Sequence, residues 1–182
     1  MDNKLAPMVR ADHVGSLLRP RSVAEARREY YSNDKNISAD ELASIEDEAI
    51  VQAIRMQEDI GLPVITDGEY RRYFWHYDFM GMLTGFEMET RGEGIQFAGT
   101  RLPPLYPTIR GKLDFPTDHP MISHFKFVAA NTTAIPKISI PGPSCCHFRT
   151  APNDIFPVEY KDLDVLLADI AAAYGKAVST FY

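Results

Sequence analysis

The chain has 182 residues, 45% of them hydrophobic and 24% charged, with 19 basic against 25 acidic side chains and a formal net charge of −6. That is globular composition with enough length for a sizeable core, and it excludes a disordered or fibrous chain. The negative sign argues against nucleic acid as a partner.

No run reaches the ~18 apolar residues of a membrane span, and residues 1–10 hold no apolar stretch of signal-peptide length. The two cysteines, Cys145 and Cys146, are adjacent, a spacing that strains any bridge between them. A reducing cytoplasm is the expected setting, with no membrane partner.

In chain order, Ala11 to Val14 is a short strand candidate that breaks at Gly15-Ser16. A helix follows from about Ala39 to Ile60. Ser38 and Glu41 carry the capping-box pattern at its start. Leu42, Ile45, Ala49, Ala53, Met56 and Ile60 form one apolar stripe, and Gly61 with Pro63 stops the helix. Val64-Ile65 then suits a short buried strand, with Asp67, Gly68 and Glu69 where it ends. Between residues 85 and 115, glycines, prolines and alternating segments predict a β-hairpin insertion within a single domain spanning 1–182. Lys137-Ile138-Ser139-Ile140 is a further strand candidate, breaking at Pro141-Gly142-Pro143-Ser144. A second long helix is expected from about Val158 to Phe181, with Tyr160, Leu163, Leu167, Ile170, Tyr174, Val178 and Phe181 as its stripe.

Short strands alternating with helices define an α/β class. Functional groups in such folds collect at the carboxyl ends of strands. Three strands do not close a barrel, which takes about 250 residues, so the sequence reads as cut.

Three segments carry chemistry. Asp12 to Pro20 sets His13, Ser16 and Arg19 around a glycine that lets backbone approach a ligand; the same residues also suit a polar surface turn. Asp67 and Glu69 flank Gly68 and can bind an ammonium group, or serve as acids at a helix start. Cys145-Cys146-His147 invites zinc, but zinc ligand pairs are spaced by about two to four residues, and small buried thiols in a strand-end loop are the better reading. No phosphate-binding loop, dinucleotide fingerprint or nucleophile elbow is present.

The ordered set His13-Val14-Gly15-Ser16 with Arg19-Pro20, Asp67-Gly68-Glu69 with Arg71, and Gly142-Pro143-Ser144 resembles the catalytic domain of cobalamin-independent methionine synthase, and more closely its short single-barrel relatives. The resemblance runs from about Arg10 to the end. It implies a (β/α)8 TIM barrel of the uroporphyrinogen decarboxylase and methionine synthase type, truncated to its first half.

It also implies a zinc-dependent methyltransferase that moves a methyl group from a methyl-folate to a small-molecule thiol, with homocysteine the leading acceptor. Ser16 and Glu69 are carried over as amino-acid contacts, with Asp67 as a helper. Gly142, Pro143 and Ser144 line the donor side. His13 and Arg19 match the single-barrel relatives at the substrate end. The family's zinc ligands, a His-x-Cys pair, a glutamate and a further cysteine, lie in the second half of the barrel, so no metal ligand is assigned here and the chain alone is expected to be inactive. A homo-oligomer or a second chain would complete the barrel. Two other readings stay open: a uroporphyrinogen-decarboxylase-like enzyme using Arg19 and Arg21, and a non-catalytic half-barrel binding module.

Overall fold

The computed structural model describes residues 12–32, 36–90, 92–94, 96–148 and 160–182. They gather into two compact units, one of residues up to Arg71 together with His124–Ser139, the other of Arg72–Ser123 with Ile140–Tyr182.

The first unit is built on two packed helices, α1 (Arg21–Tyr30) and α2 (Ala39–Asp59). Ser38 and Glu41 form the complete capping box at the start of α2. At its end Gly61 N–H bonds Glu58 O and Leu62 N–H bonds Gln57 O, the paired bonds of a Schellman stop. The buried face of α2 is Leu42, Glu46, Ala49, Ile50, Ala53, Ile54 and Gln57. The expected stripe therefore drifts: Met56 and Ile60 are exposed, and Ile50 and Ile54 take their place. Two polar side chains belong to the buried face because each has a partner there. Glu46 pairs with Arg27 of α1 at 2.5 Å, both side chains being buried, and Gln57 binds the backbone that follows.

That backbone is β1 (Val64–Ile65), which pairs in parallel with β6 (Ile135–Pro136). Ile65 closes a core with Val23, Ala49, Ile50, Ala53, Ile54, Tyr70 and Val128. The later strand lies two residues before its expected place at Lys137–Ile140. Pro136 has no N–H, so the ladder is carried by its neighbours: Ile135 N–H bonds Pro63 O and Lys137 N–H bonds Ile65 O. The stretch ahead of β6 is tied to the end of α2, where Glu58 Oε1 accepts from Thr132 Oγ1 at 2.7 Å and Thr133 N–H at 3.0 Å.

The expected first strand is not formed by Asp12 to Val14, and Ala11 lies outside the described residues. The segment runs beside the end of β1 through isolated hydrogen bonds instead of a ladder. Among the described residues there is one parallel pair of strands, so the α/β class holds while a barrel is not formed by them.

In the second unit, α3 (Tyr77–Met80) leads into β2 (Thr84–Thr90), which pairs antiparallel with β5 (Leu105–Asp114); β3 (Gln96–Phe97) and β4 (Thr100–Arg101) pair inside the same excursion. A register irregularity falls between Thr84 and Phe86. Gly85 sits there at φ +86, and a Cβ on it would lie 2.5 Å from Lys112 O, so both the backbone and the space require glycine.

Helix α6 (Leu163–Phe181) packs on β5. It starts later than expected, because Asp162 caps it by accepting from Asp164 N–H. The residues near Val158 lie outside the described set. Its buried face is Leu166, Ile170, Ala173, Tyr174 and Ala177, while Leu163, Leu167 and Val178 of the expected stripe are exposed. Ile170 and Tyr174 of that stripe are buried as expected, and Leu166, Ala173 and Ala177 take the place of Leu163, Leu167 and Val178. Tyr160 precedes the helix and is buried, accepting from Leu113 N–H at 2.8 Å and donating to Asp169 at 2.7 Å. Helix α4 (Pro120–Asn131) carries the chain between the units, and α5 (Cys145–Phe148) is a single turn.

Candidate functional site

The site in the first unit begins with Gln57, whose side chain is fully buried. Its Nε2 donates to Ala53 O and to Thr66 O, both at 2.9 Å, and its Oε1 accepts from Thr66 N–H at 3.1 Å. The amide thus acts as a strand neighbour for Thr66, just past β1. His13 Nε2 lies 3.0 Å from the same Oε1. An amide oxygen offers only acceptance, so His13 donates to it through Nε2.

Thr66 Oγ1 donates to Gly15 O at 2.8 Å and accepts from Gly68 N–H at 3.2 Å. Leu17 N–H bonds Gly68 O at 3.0 Å, and Tyr70 Oη donates to Leu18 O at 3.1 Å. Lys137 Nζ binds Asp12 Oδ1 at 3.0 Å and the carbonyl of His13. These bonds lay the Gly15-Ser16 turn alongside Asp67-Gly68-Glu69.

Glu69 is the centre of the arrangement. Its backbone is left-handed, φ 59, the one non-glycine residue of this kind among those described. A non-glycine side chain pays steric strain there, which persists only where surrounding bonds determine the geometry. Those bonds are present. Asp67 Oδ1 accepts from Glu69 N–H at 2.9 Å. Arg19 Nη2 donates to Glu69 O at 2.9 Å and its Nε to Tyr70 O at 3.2 Å. Arg27 continues the series by donating to Arg71 O at 3.0 Å. The Glu69 side chain is 7% exposed, and its Oε1 accepts from Ser139 Oγ at 2.5 Å. Gly15 completes the seat by its lack of a side chain: a Cβ would lie 2.9 Å from Ser139 Oγ and 3.1 Å from Glu69 Oε1.

The structure thus brings His13, Ser16, Arg19, Asp67 and Glu69 to one place. Ser16 is exposed beside the buried Gly15. Arg19 and His13 bind protein groups here and shape the turn. Asp67 is 6% exposed and one of its oxygens is committed to the Glu69 backbone. Sequence reasoning missed Ser139, Thr66 and Gln57. Gln57 had a signal, since it continues the Ala49–Ala53 spacing with a polar side chain on an apolar stripe. Ser139 and Thr66 had none beyond lying at strand ends.

Gly142, Pro143 and Ser144 belong to the second unit. All three are exposed, and their carbonyls accept from Cys145, Cys146 and His147 N–H to form the turn of α5. Both cysteines are buried free thiols. Cys146 Sγ lies 3.8 Å from Tyr174 Oη, and burial pushes its pKa up to about 11, the wrong direction for a thiolate ligand. Among the described residues no group of three or more His, Cys, Asp or Glu side chains is placed to hold a metal ion. The second unit also has a cleft of about 290 Å3 walled by Phe74, Trp75, His76, Phe97 and Tyr106 among others, with the Trp75 and His76 rings stacked at 4.5 Å. No helix among the described residues is long and apolar enough to cross a membrane.

Parallel strands ending at an acid turn, faced by a glycine-serine turn, make an α/β chain whose polar side chains gather at the strand ends, where such folds place their functional groups. The sequence model of the family described as cobalamin-independent synthase, catalytic domain, matches residues 10–181, and the chain belongs to that family. Two curated relatives from Bacillus subtilis (strain 168), the uncharacterized proteins YxjH and YxjG, are 42% and 38% identical over 95% and 97% of this chain. The chain spans 45% and 46% of their lengths, so it covers under half of each. A solved structure from Listeria monocytogenes, provisionally named a vitamin-B12-independent methionine synthase, is 34% identical with a TM-score of 0.74, over 94% of this chain and 48% of that one. A B12-independent methionine synthase from Shewanella sp. W3-18-1, solved in complex with selenomethionine, shares the fold at 21% identity and a TM-score of 0.65, over 92% of this chain and 46% of that one.

Proposed function

We propose that this chain supplies the amino-acid-binding part of a methyltransferase resembling 5-methyltetrahydropteroyltriglutamate–homocysteine S-methyltransferase. The reaction moves a methyl group from a methyl-folate to the sulfur of homocysteine. The carbon–nitrogen bond of the donor breaks as the carbon–sulfur bond forms; the nitrogen keeps the electron pair and gains a proton, and the thiol gives one up. The observation that carries this reading is Glu69, a buried carboxylate held in a strained backbone at the ends of β1 and β6, in a chain of this family. A buried carboxylate of that kind suits the substrate ammonium, and Ser16 on the facing turn suits its carboxylate end.

The chain's own part is then orientation. Fixing the amino acid at its ammonium group fixes the direction of its sulfur, and orientation is a large resource in group transfer. The zinc that the resemblance implies finds no donor set among the described residues, so no step is assigned to it in this chain. Gly142, Pro143 and Ser144 are assigned to the donor side. A decarboxylase reading is disfavoured by Arg19, which is turned onto the Glu69 and Tyr70 carbonyls, and by Arg21, which pairs with Glu25 on the surface.

Titration calorimetry with L-methionine, the product, tests the reading. Binding is expected to fall by about tenfold or more in Glu69→Gln, the loss of a charge-assisted contact. Equal binding of L-methionine and of 4-(methylthio)butanoate, which lacks the ammonium, would overturn it.

A further inference from the structure

We propose that Thr66 is a positioning residue that turns the Gly15–Ser16 peptide so that the Ser16 N–H faces outward as a donor for the ligand carboxylate, an inference that rests on the amino-acid seat described above. Thr66 is 2% exposed and directly follows β1. Its N–H and its C=O are both held by the Gln57 amide. A β-branched side chain has little freedom left once its backbone is fixed, so the hydroxyl is rigidly mounted.

The partners decide where the hydroxyl proton lies. Gly15 O can only accept and Gly68 N–H can only donate, so Oγ1 donates to the first at 2.8 Å and accepts from the second at 3.2 Å. Among the described residues, Thr66 Oγ1 is the one hydrogen-bond partner of Gly15 O. The other ties between the two turns hold Leu17, Leu18 and the carbonyls of Glu69 and Tyr70, not this peptide. The peptide is planar and trans, so its N–H points opposite to its C=O. With the carbonyl drawn inward to Thr66, the Ser16 N–H is turned outward. Ser16 is exposed, and among the described residues its N–H and hydroxyl have no hydrogen-bond partner. A glycine on one side lets the peptide plane rotate, and the Thr66 hydroxyl removes that freedom before a ligand arrives.

The test uses the whole chain with two ligands and two variants. L-methionine and 3-(methylthio)propylamine, which lacks the carboxylate, are titrated calorimetrically into the wild type, Thr66→Val and Thr66→Ser. NMR with isotope-labelled serine follows the Ser16 amide, identified by its disappearance in Ser16→Ala. Thr66→Val keeps the shape and removes the hydroxyl. It is expected to weaken L-methionine by about tenfold, the scale of one hydrogen bond to a charged group, and to leave the amine unchanged. Thr66→Ser, which restores the hydroxyl, is expected to recover L-methionine binding. L-methionine is expected to shift the Ser16 amide of the wild type, and the amine to leave it in place. In the free protein the same amide is expected to move in Thr66→Val and return in Thr66→Ser.

Wild-type affinity for L-methionine in Thr66→Val, or equal loss of both ligands, would overturn the assignment. So would a Ser16 amide unmoved by saturating L-methionine, a measurement on the wild type that holds whether or not Thr66→Val folds. If L-methionine and 4-(methylthio)butanoate bind the wild type equally, the ammonium role of Glu69 falls. The Ser16 amide and the affinity of Thr66→Val then still decide the role of Thr66.

Discussion

Adding one methyl group at Gly15 pits two opposed effects against each other, and the structure decides the winner. Gly15 is not in the left-handed region, so alanine fits its backbone. Restricting the unfolded chain in that way ordinarily stabilises by about 0.4–1 kcal/mol. The new Cβ, however, would lie 2.9 Å from Ser139 Oγ and 3.1 Å from Glu69 Oε1. Both atoms are already committed to each other at 2.5 Å, and forcing a methyl into a packed site costs about 1–3 kcal/mol.

The net expectation is destabilisation of about 1 kcal/mol, or about 2–4 °C in melting temperature for a chain of this size. Gly175→Ala is the control. Gly175 lies within α6, is exposed, and a Cβ there meets nothing within 4 Å. Helix propensity then gives a gain of about 0.5–1 kcal/mol. Thermal and urea unfolding of both variants measures the difference. A Gly15→Ala protein as stable as Gly175→Ala, with L-methionine affinity intact, would refute the close-packed seat.

Gln57→Leu keeps the volume but strips partners from Thr66 N–H and O, and is expected to cost about 2–5 kcal/mol in urea unfolding, as two buried polar groups go unpaired. At the buried Arg27–Glu46 pair, Arg27→Met alone is expected to cost about 3–5 kcal/mol, whereas adding Glu46→Leu recovers most of that loss, short of the Arg27 bond to Arg71 O; a double-mutant cycle by urea unfolding reads this directly. Burial lowers the pKa of His119, whose Nε2 donates to Phe79 O while Nδ1 accepts from Met121 N–H, an arrangement only the neutral ring can make. The unfolded chain therefore binds more protons over that window, so this contribution is complete above the ordinary histidine value of 6.5 and is lost as pH falls through the lower folded value. Melting temperature against pH should flatten below 6.5 in His119→Asn.

The parts of the molecule legible in the sequence are those decided locally. Ser38 and Glu41 are three residues apart and cap α2 with no outside help, and Gly61 ends it the same way. The acid turn at Asp67–Glu69 was legible because it follows a β-branched pair and a glycine. What stayed hidden depends on neighbours far along the chain. Ser139 meets Glu69 across 70 positions, and the Gln57 amide is explained only by the backbone of Thr66 that it completes. The stripe of α6 is legible in part: Ile170 and Tyr174 are buried, but the face also runs through Ala173 and Ala177, which side-chain size does not mark, while Leu163 and Leu167 stay exposed.

The central claim is that Glu69 receives the ammonium group of an amino-acid substrate, and a crystal structure of this chain with L-selenomethionine tests it most directly. Selenium marks the sulfur position without ambiguity. The ligand nitrogen is expected within hydrogen-bond distance of the Glu69 carboxylate, with Ser139 still bonded to Oε1 and the ligand carboxylate toward Ser16. Selenomethionine bound elsewhere, or seated here with its nitrogen turned away from Glu69, would contradict it.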